Sequence, residues 1–367
     1  MLALYRKSAK VGKDAAAGQV SRRFGHYPSQ TLSHMRLVQI TRDRSRRVGL
    51  VNGSELRLLD ARFPSVYDLA HKALADKSSL QQLVPSLGTS ETLDYDSIYK
   101  GESDWRFLPA FDHPSDPAHC MVSGTGLTHK ASAKNRAAMH KTVDAEATDS
   151  FRMFKLGLEG GSPAEGEIGV QPEWFYKGDG TVLKGHRSAL TVPAYADDGG
   201  EEPEVAGVYF VAQDGHPYRV GYAVGNEFSD HVMEKKNYLY LAPSKLRECA
   251  IGPELTIGEL AFENLTGEVS VHRGSKAVWS SQIWTGQANM SHSVRNLEHH
   301  HFKYAAHRRP GDAHVHFFGA DAFSFGEGVT LEAGDLMQVS FPDLGRPLQN
   351  FLAIEEKPAK LTSVRTI

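Results

Sequence analysis

Cysteine is nearly absent: Cys120 and Cys249 are the whole complement in 367 residues. Two thiols cannot build a disulfide scaffold, and they fit a reducing cytoplasm. No apolar run approaches the roughly 20 residues of a membrane-spanning helix, so no membrane partner is expected. Charge of one sign is not in excess either. The net charge is −3, which implies no polyanion partner and argues against nucleic-acid binding. The motifs His-Glu-x-x-His and Gly-x-x-x-x-Gly-Lys-Ser/Thr are missing, which removes the zinc-protease and phosphate-loop readings. The turn Ser123-Gly124-Thr125-Gly126 is glycine-rich without being a phosphate loop. Its backbone N–H groups suit a carboxylate, so Gly124 and Thr125 are candidate substrate-binding residues.

What is present is an ordinary globular composition, 40% hydrophobic and 23% charged, with length for one large core and a small second domain. The 34 glycines and 17 prolines point to many turns and a strand-rich fold. Residues 1–34 set six Lys and Arg side chains (Arg6, Lys7, Lys10, Lys13, Arg22, Arg23) against Asp14. They read as a disordered or over-called extension, with Met35 opening the first strand. Residues 35–105 read as a small α+β domain. Asn52-Gly53 marks a hairpin between Val48–Val51 and Leu56–Leu59, and Ser65 caps a helix with Asp68 at its third position. Residues 106–367 carry the chemistry. Within them Lys130–His140 is expected to be helical, 148–159 is a helix capped by Thr148 or Asp149, Gln171–Lys177 is a strand, and 267–281 is a hairpin through Gly274-Ser275.

Seven histidines crowd 287–316: His292, His299, His300, His301, His307, His314 and His316. Three consecutive imidazoles cannot face one point on a helix or strand, and no cysteine is spaced to join them. His314 and His316 do share a strand face. The preferred reading is structural, as packing, hydrogen bonds and subunit contacts.

The centre of the chain is 199–254. Glu202 and Glu204 stand two apart in a strand-like run and therefore on one face. Two carboxylates on one face repel, the more so when buried, and a divalent cation relieves this. An exposed acidic turn is the plain alternative. Against it stands the order of residues that follows. A third acid, Glu227, comes after the apolar run 218–225, and Lys245 precedes Gly252-Pro253.

This order resembles the fumarylacetoacetate hydrolase superfamily, on Glu202-Pro203-Glu204, Asn226-Glu227, and Lys245 before Gly252-Pro253. Phe175-Tyr176-Lys177, Pro310-Gly311-Asp312, Phe318-Gly319, Gly334-Asp335, and Leu344-Gly345 through Asn350 add to it, so that the likeness spans about 110–352. Residues 225–238 look like the branch near the 2-keto-3-deoxy sugar-acid dehydratases. Two departures stand out: Glu227 where the family has Asp, and Gly319-Ala320-Asp321 where many members read Gly-Thr-Pro.

The resemblance implies a mostly β fold with α (α+β), a mixed β-sandwich roll with a small N-terminal α+β domain. It implies a Mg²⁺ ion (Mn²⁺ or Ca²⁺ as alternatives) on Glu202, Glu204 and Glu227, a proton carrier in Lys245, and a second candidate catalytic residue in His129. Lys177 and Asn226 join Gly124 and Thr125 as candidate substrate-binding residues. A nearby cation is expected to lower the Lys245 pKa. The expected partner is a small 2-keto acid, and a homodimer is expected because C₂ is the commonest symmetry. The expected reaction is dehydration of a 2-keto-3-deoxy sugar acid, pentonate first, through an enolate at C3. The alternatives are hydrolysis of the C–C bond of an acylpyruvate or 2,4-diketo acid, and a non-catalytic metal or sugar-acid binding protein.

Overall fold

The computed structural model describes residues 34–130, 133–134 and 148–367. The extension 1–34, apart from His34, and most of the helix expected over Lys130–His140 lie outside these residues.

Local signals build the first strands. β1 (Met35–Arg42), β2 (Ser45–Asn52) and β3 (Glu55–Leu59) form a meander. The β2–β3 turn uses Gly53 at φ +64, a left-handed conformation that glycine adopts without cost. Ser65 and Asp68 form the expected capping box on helix Val66–Ala75, each side chain bonding the other's backbone N–H. Helix Leu80–Leu83 and β4 (Gly88–Asp94) follow, and β4 pairs with β3.

The sheet of 35–60 does not stand alone. β12 (Cys249–Ile257) pairs antiparallel with β1, Leu37 opposite Leu255, and β5 (Arg106–Phe107) pairs with β1. The remaining strands of this sheet are β6 (Cys120–Gly124), β7 (Phe175–Asp179), β8 (Leu183–Lys184), β10 (Pro203–Val211), β11 (Pro217–Asn226) and β15 (Ala313–Phe317). The order is β4-β3-β2-β1-β12-β11-β10-β15-β6-β7, twelve strands with β5 and β8 on the side. A second sheet orders β14 (Lys276–Thr285), β13 (Leu265–Arg273), β16 (Leu336–Ser340), β17 (Leu348–Ile354) and β9 (Ala189–Val192). The strand expected over 171–177 begins only at Phe175 and continues to Asp179.

The two sheets pack face to face. Val205, Tyr222, Val224 and Ala250 of the large sheet meet Val269, Val271, Met337, Val339 and Leu348 of the small one. On the other face of the large sheet a second core joins Ala206, Val208, Phe210, Ala223, Leu255, Val315 and Phe317 to Val66, Leu69 and Ala70 of the capped helix. β10 and β12 are buried along their whole length, as strands covered on both faces must be. Pro203 opens β10, a position that needs no ladder N–H from it. Among the described residues no helix is long and apolar enough to cross a membrane.

Candidate metal centre

β10 and β11 run antiparallel with Glu204 opposite Gly225 and Pro203 opposite Asn226. This register brings the start of one strand to the end of the other. The backbone bond from Glu227 N to Glu202 O, 2.9 Å, continues the pairing one step past the strands. Glu202, Glu204 and Glu227 therefore converge: one carboxylate oxygen from each lies within 4.8 Å of the others. None is an exposed turn residue, since Glu202 is 8% exposed, Glu204 2% and Glu227 0%.

Lys245 closes the group from the helix Leu241–Lys245. Its Nζ donates to Glu202 Oε1 and to Glu227 Oε2, 2.7 Å each, and to Ser229 Oγ at 2.9 Å. Glu234 Oε1 is 3.4 Å away, and the Phe175 ring lies 4.9 Å from the amine. Lys177, on β7, is also fully buried. Its Nζ pairs with Glu227 Oε1 at 2.6 Å and donates to the carbonyls of Glu227 and Phe228. The amine that the sequence offered to a substrate is thus engaged within the protein.

The electrostatics follow from crowding acids in a buried space. Burial raises the Glu204 pKa, and the charges of Glu227 and Glu202 raise it further, well above the ordinary carboxylate range. Burial also raises Glu227, which Lys177 and Lys245 partly offset, leaving it at about 7. Glu202 is buried too, but Lys245 and His231 outweigh that and hold it well below the ordinary value. Once a cation has displaced their protons, three carboxylates against two lysines leave one negative charge, before buried Glu234 and Glu201 are counted. Hard oxygen donors carrying surplus negative charge are what Mg²⁺ or Ca²⁺ selects, so the donor set fits a divalent cation.

Other residues singled out in the sequence are placed around this group. Asn226 Oδ1 accepts from Glu202 N and Phe228 N, both at 3.3 Å, so its amide braces the backbone that carries two of the acids. Gly124 ends β6, where an added Cβ would lie 2.5 Å from the Phe175 ring. Thr125 Oγ1 is 2.9 Å from His316 Nε2. His129 sits between hydroxyls, with Nδ1 2.9 Å from Thr128 Oγ1 and Nε2 3.2 Å from Thr285 Oγ1. Burial drives its pKa down to about 4, so the ring is neutral near pH 7. Thr128 links it to the acids, because its hydroxyl donates to Phe318 O and the next residue, Gly319, donates its N–H to Glu204 Oε2 at 2.6 Å.

The histidine-rich segment packs elsewhere on the sheet. His301 Nε2 is 3.0 Å from His314 Nδ1, Trp174 Nε1 donates to His301 Nδ1 at 3.2 Å, and His316 also meets Ser123 Oγ at 2.9 Å. Among the described residues the acid trio alone brings three metal-ligating side chains together.

No family model matches the chain, and no curated protein matches it. Solved structures do. One of 2-keto-3-deoxyarabinonate dehydratase superposes with a TM-score of 0.67 at 17% identity, over 88% of this chain and 100% of that one. The fold is the fumarylacetoacetate hydrolase fold. A structure of 2-keto-3-deoxy-D-arabinonate dehydratase complexed with magnesium and 2,5-dioxopentanoate gives 0.65 at 18% identity, with the same coverage of both chains. The 5-carboxymethyl-2-hydroxymuconate delta-isomerase from Mycobacterium smegmatis gives 0.53 at 16%, again over 88% and 100%.

The acids and the lysine singled out in the sequence by their order and its resemblance lie together in this fold, but that reading was incomplete. It passed over three groups. Ser229 and His231 lie two and four residues beyond Glu227, and His231 Nε2 is 3.1 Å from Glu202 Oε1. Their closeness in sequence to Glu227 was the available signal. Glu201, fully buried, accepts from Ser324 N and Oγ. That contact joins positions 123 residues apart, and no local pattern announces it.

Proposed function

We propose that this chain is a metal-dependent enzyme acting on a 2-keto acid, and that it removes water from a 2-keto-3-deoxy sugar acid, a pentonate first. The observation that carries this reading is the Lys245 amine held 2.7 Å from two members of a buried acid trio. Passive ion binding requires no amine there, whereas proton transfer does. The stronger likeness in fold to the arabinonate dehydratase than to the isomerase favours dehydration.

Glu202, Glu204 and Glu227 would hold the ion. When bound, a divalent cation polarises a keto oxygen and stabilises negative charge developing next to it. Lys245 takes the C3 proton and, once protonated, is stabilised by Glu202, Glu227 and Glu234. Lys177 and Ser229 fix the Glu227 carboxylate, and the Gly319 N–H fixes Glu204. Burial keeps water out. His129, the second candidate catalytic residue, is neutral near pH 7 and so is no strong acid for the departing 4-hydroxyl; that proton comes from Lys245 or from water.

One observation keeps the C–C hydrolase reading in view: the His231–Glu202 pair is a histidine–carboxylate contact of the kind that activates water. Incubation with Mg²⁺ and a panel of 2-keto-3-deoxy pentonates, hexonates and acylpyruvates separates the readings. A product lighter by one water supports dehydration, release of pyruvate supports hydrolysis, and binding without any product leaves a binding protein. Lys245→Met is expected to retain Mn²⁺ binding while kcat falls by roughly 10²–10⁴, the span of acid–base contributions. Unchanged turnover would remove Lys245 from the chemistry.

A further inference from the structure

His231 has no part in the dehydration steps proposed above, yet its surroundings are specific. It is the first residue of helix His231–Lys236, whose N-cap Asp230 accepts from Met233 N at 2.8 Å. Arg247 Nη2 holds the same Asp230 at 3.0 Å, and Arg247 Nη1 holds the Asp198 carbonyl at 2.6 Å. The helix start and the loop before Glu202 are therefore tied to one guanidinium. The His231 ring is 1% exposed. Phe323 lies parallel to it, 4.8 Å between centroids and 1° between planes, and Phe325 stacks at 5.1 Å and 22°. Gly200 packs at its Nδ1 edge so closely that an added Cβ would lie 2.7 Å from Nδ1. Gly200 is itself pinned by two backbone bonds to Ser229, of 2.9 and 3.0 Å.

With both aromatic neighbours and one edge fixed, the ring presents Nε2 in one direction, toward Glu202 Oε1 at 3.1 Å. That same oxygen receives the Lys245 amine. Each acid of the trio is held by protein donors: Glu204 through one oxygen by Gly319 N, Glu202 through one oxygen by Lys245 and His231, and Glu227 through both, Oε2 by Ser229 and Lys245 and Oε1 by Lys177. Glu202 lies just outside β10, and although Glu227 N and Asn226 hold its backbone, its side chain is oriented by Lys245 and His231.

We infer that His231 is a positioning residue for the metal centre: a donor locked between two phenylalanines and a glycine that keeps the Glu202 carboxylate turned toward Glu204 and Glu227. This rests on the reading of the trio as a cation site. Partners that orient a metal ligand in this way typically contribute 10–100-fold in affinity.

The test is Mn²⁺ binding to the full chain after chelator treatment, read as loss of the free-ion electron paramagnetic resonance signal, with no substrate present. His231→Phe keeps an aromatic ring between Phe323 and Phe325 but cannot donate; His231→Gln restores an N–H at the same number of bonds from Cα. Phe is expected to weaken Mn²⁺ binding by about 10-fold or more and Gln by no more than about threefold. Wild-type affinity in the Phe variant, or equal losses in both, would overturn the inference. A wild type that binds no Mn²⁺ would instead overturn the cation reading itself. If the Phe variant does not fold, the wild-type chain still decides. Ring-nitrogen NMR, with His231 assigned by difference against the Gln variant, is expected to show a protonated Nε2. A bare Nε2 cannot donate to Glu202 and would overturn the inference.

Discussion

Lys245 and Lys177 give the acid trio its own counter-charge, and two predictions follow from that at the level of single residues. Glu204→Gln removes a ligand while keeping the shape and the bond from Gly319. Mn²⁺ affinity is expected to fall by more than the 10–100-fold that outer partners cost; titration of the apo chain checks it, and undiminished binding would take Glu204 out of the site. The second concerns pH. Burial and like charge hold Glu204 well above its ordinary value, and burial holds Glu227 at about 7. The metal-free site therefore carries protons at neutral pH that an arriving cation must displace. Affinity for Mn²⁺ is expected to rise with pH through about 7, with proton release measurable by calorimetry in buffers of different ionisation enthalpy. An affinity flat across that interval would contradict the assigned ligands.

At the level of elements, the contact between Gly319 and Thr128 couples the loop after β15 to the turn carrying His129. Gly319 has φ +98, and an added Cβ would lie 2.0 Å from Thr128 Oγ1. Gly319→Ala is expected to cost about 1–3 kcal/mol of stability, the scale of a strained left-handed residue, and to weaken Mn²⁺ binding by moving the N–H that holds Glu204. Thermal unfolding and the same titration measure both; a stable variant with intact affinity would show that the loop is pliant. Elements were legible where their cause is local. The Asn52-Gly53 turn, the Ser65–Asp68 box, the Thr148 cap and the Gly274 turn each depend on a few adjacent residues, and each is found. The acids and Lys245 were legible because all lie within one stretch, 202–245. Partners from far away were not. Lys177 meets Glu227 because β7 reaches the end of the large sheet through β6 and β15, and His231 acquires its meaning from Phe323 and Phe325, about ninety residues downstream.

At the level of the whole molecule, histidine burial contributes to the acid limit of stability. Burial lowers His129, His186 and His292 to about 4, and His314 and His316 to about 3. A depressed folded pKa means that the unfolded chain takes up the proton first. Stability from these rings is complete above the unfolded value of about 6.5 and is lost as pH falls toward 4 and then 3. Each such ring steepens the loss by about 1.4 kcal/mol per pH unit. Denaturant midpoints are expected to drop sharply between pH 6 and 4, and a midpoint constant over that range would mean the imidazoles are not buried neutral.

The strand order also dictates a sequence of events in time. β10, β11 and β12 are consecutive neighbours in the chain and in the sheet, so little loop entropy opposes their pairing. β6 must find β15, Cys120 beside Ala313, and β9 must find β17, Ala189 beside Phe351, across very long loops and in parallel. Pulse-labelled hydrogen exchange during refolding is expected to protect amides of 203–257 first and those of 120–124 and 313–317 late. The three acids would then meet before the walls of their enclosure exist, and a cation supplied early would act as a nucleation aid rather than a late addition.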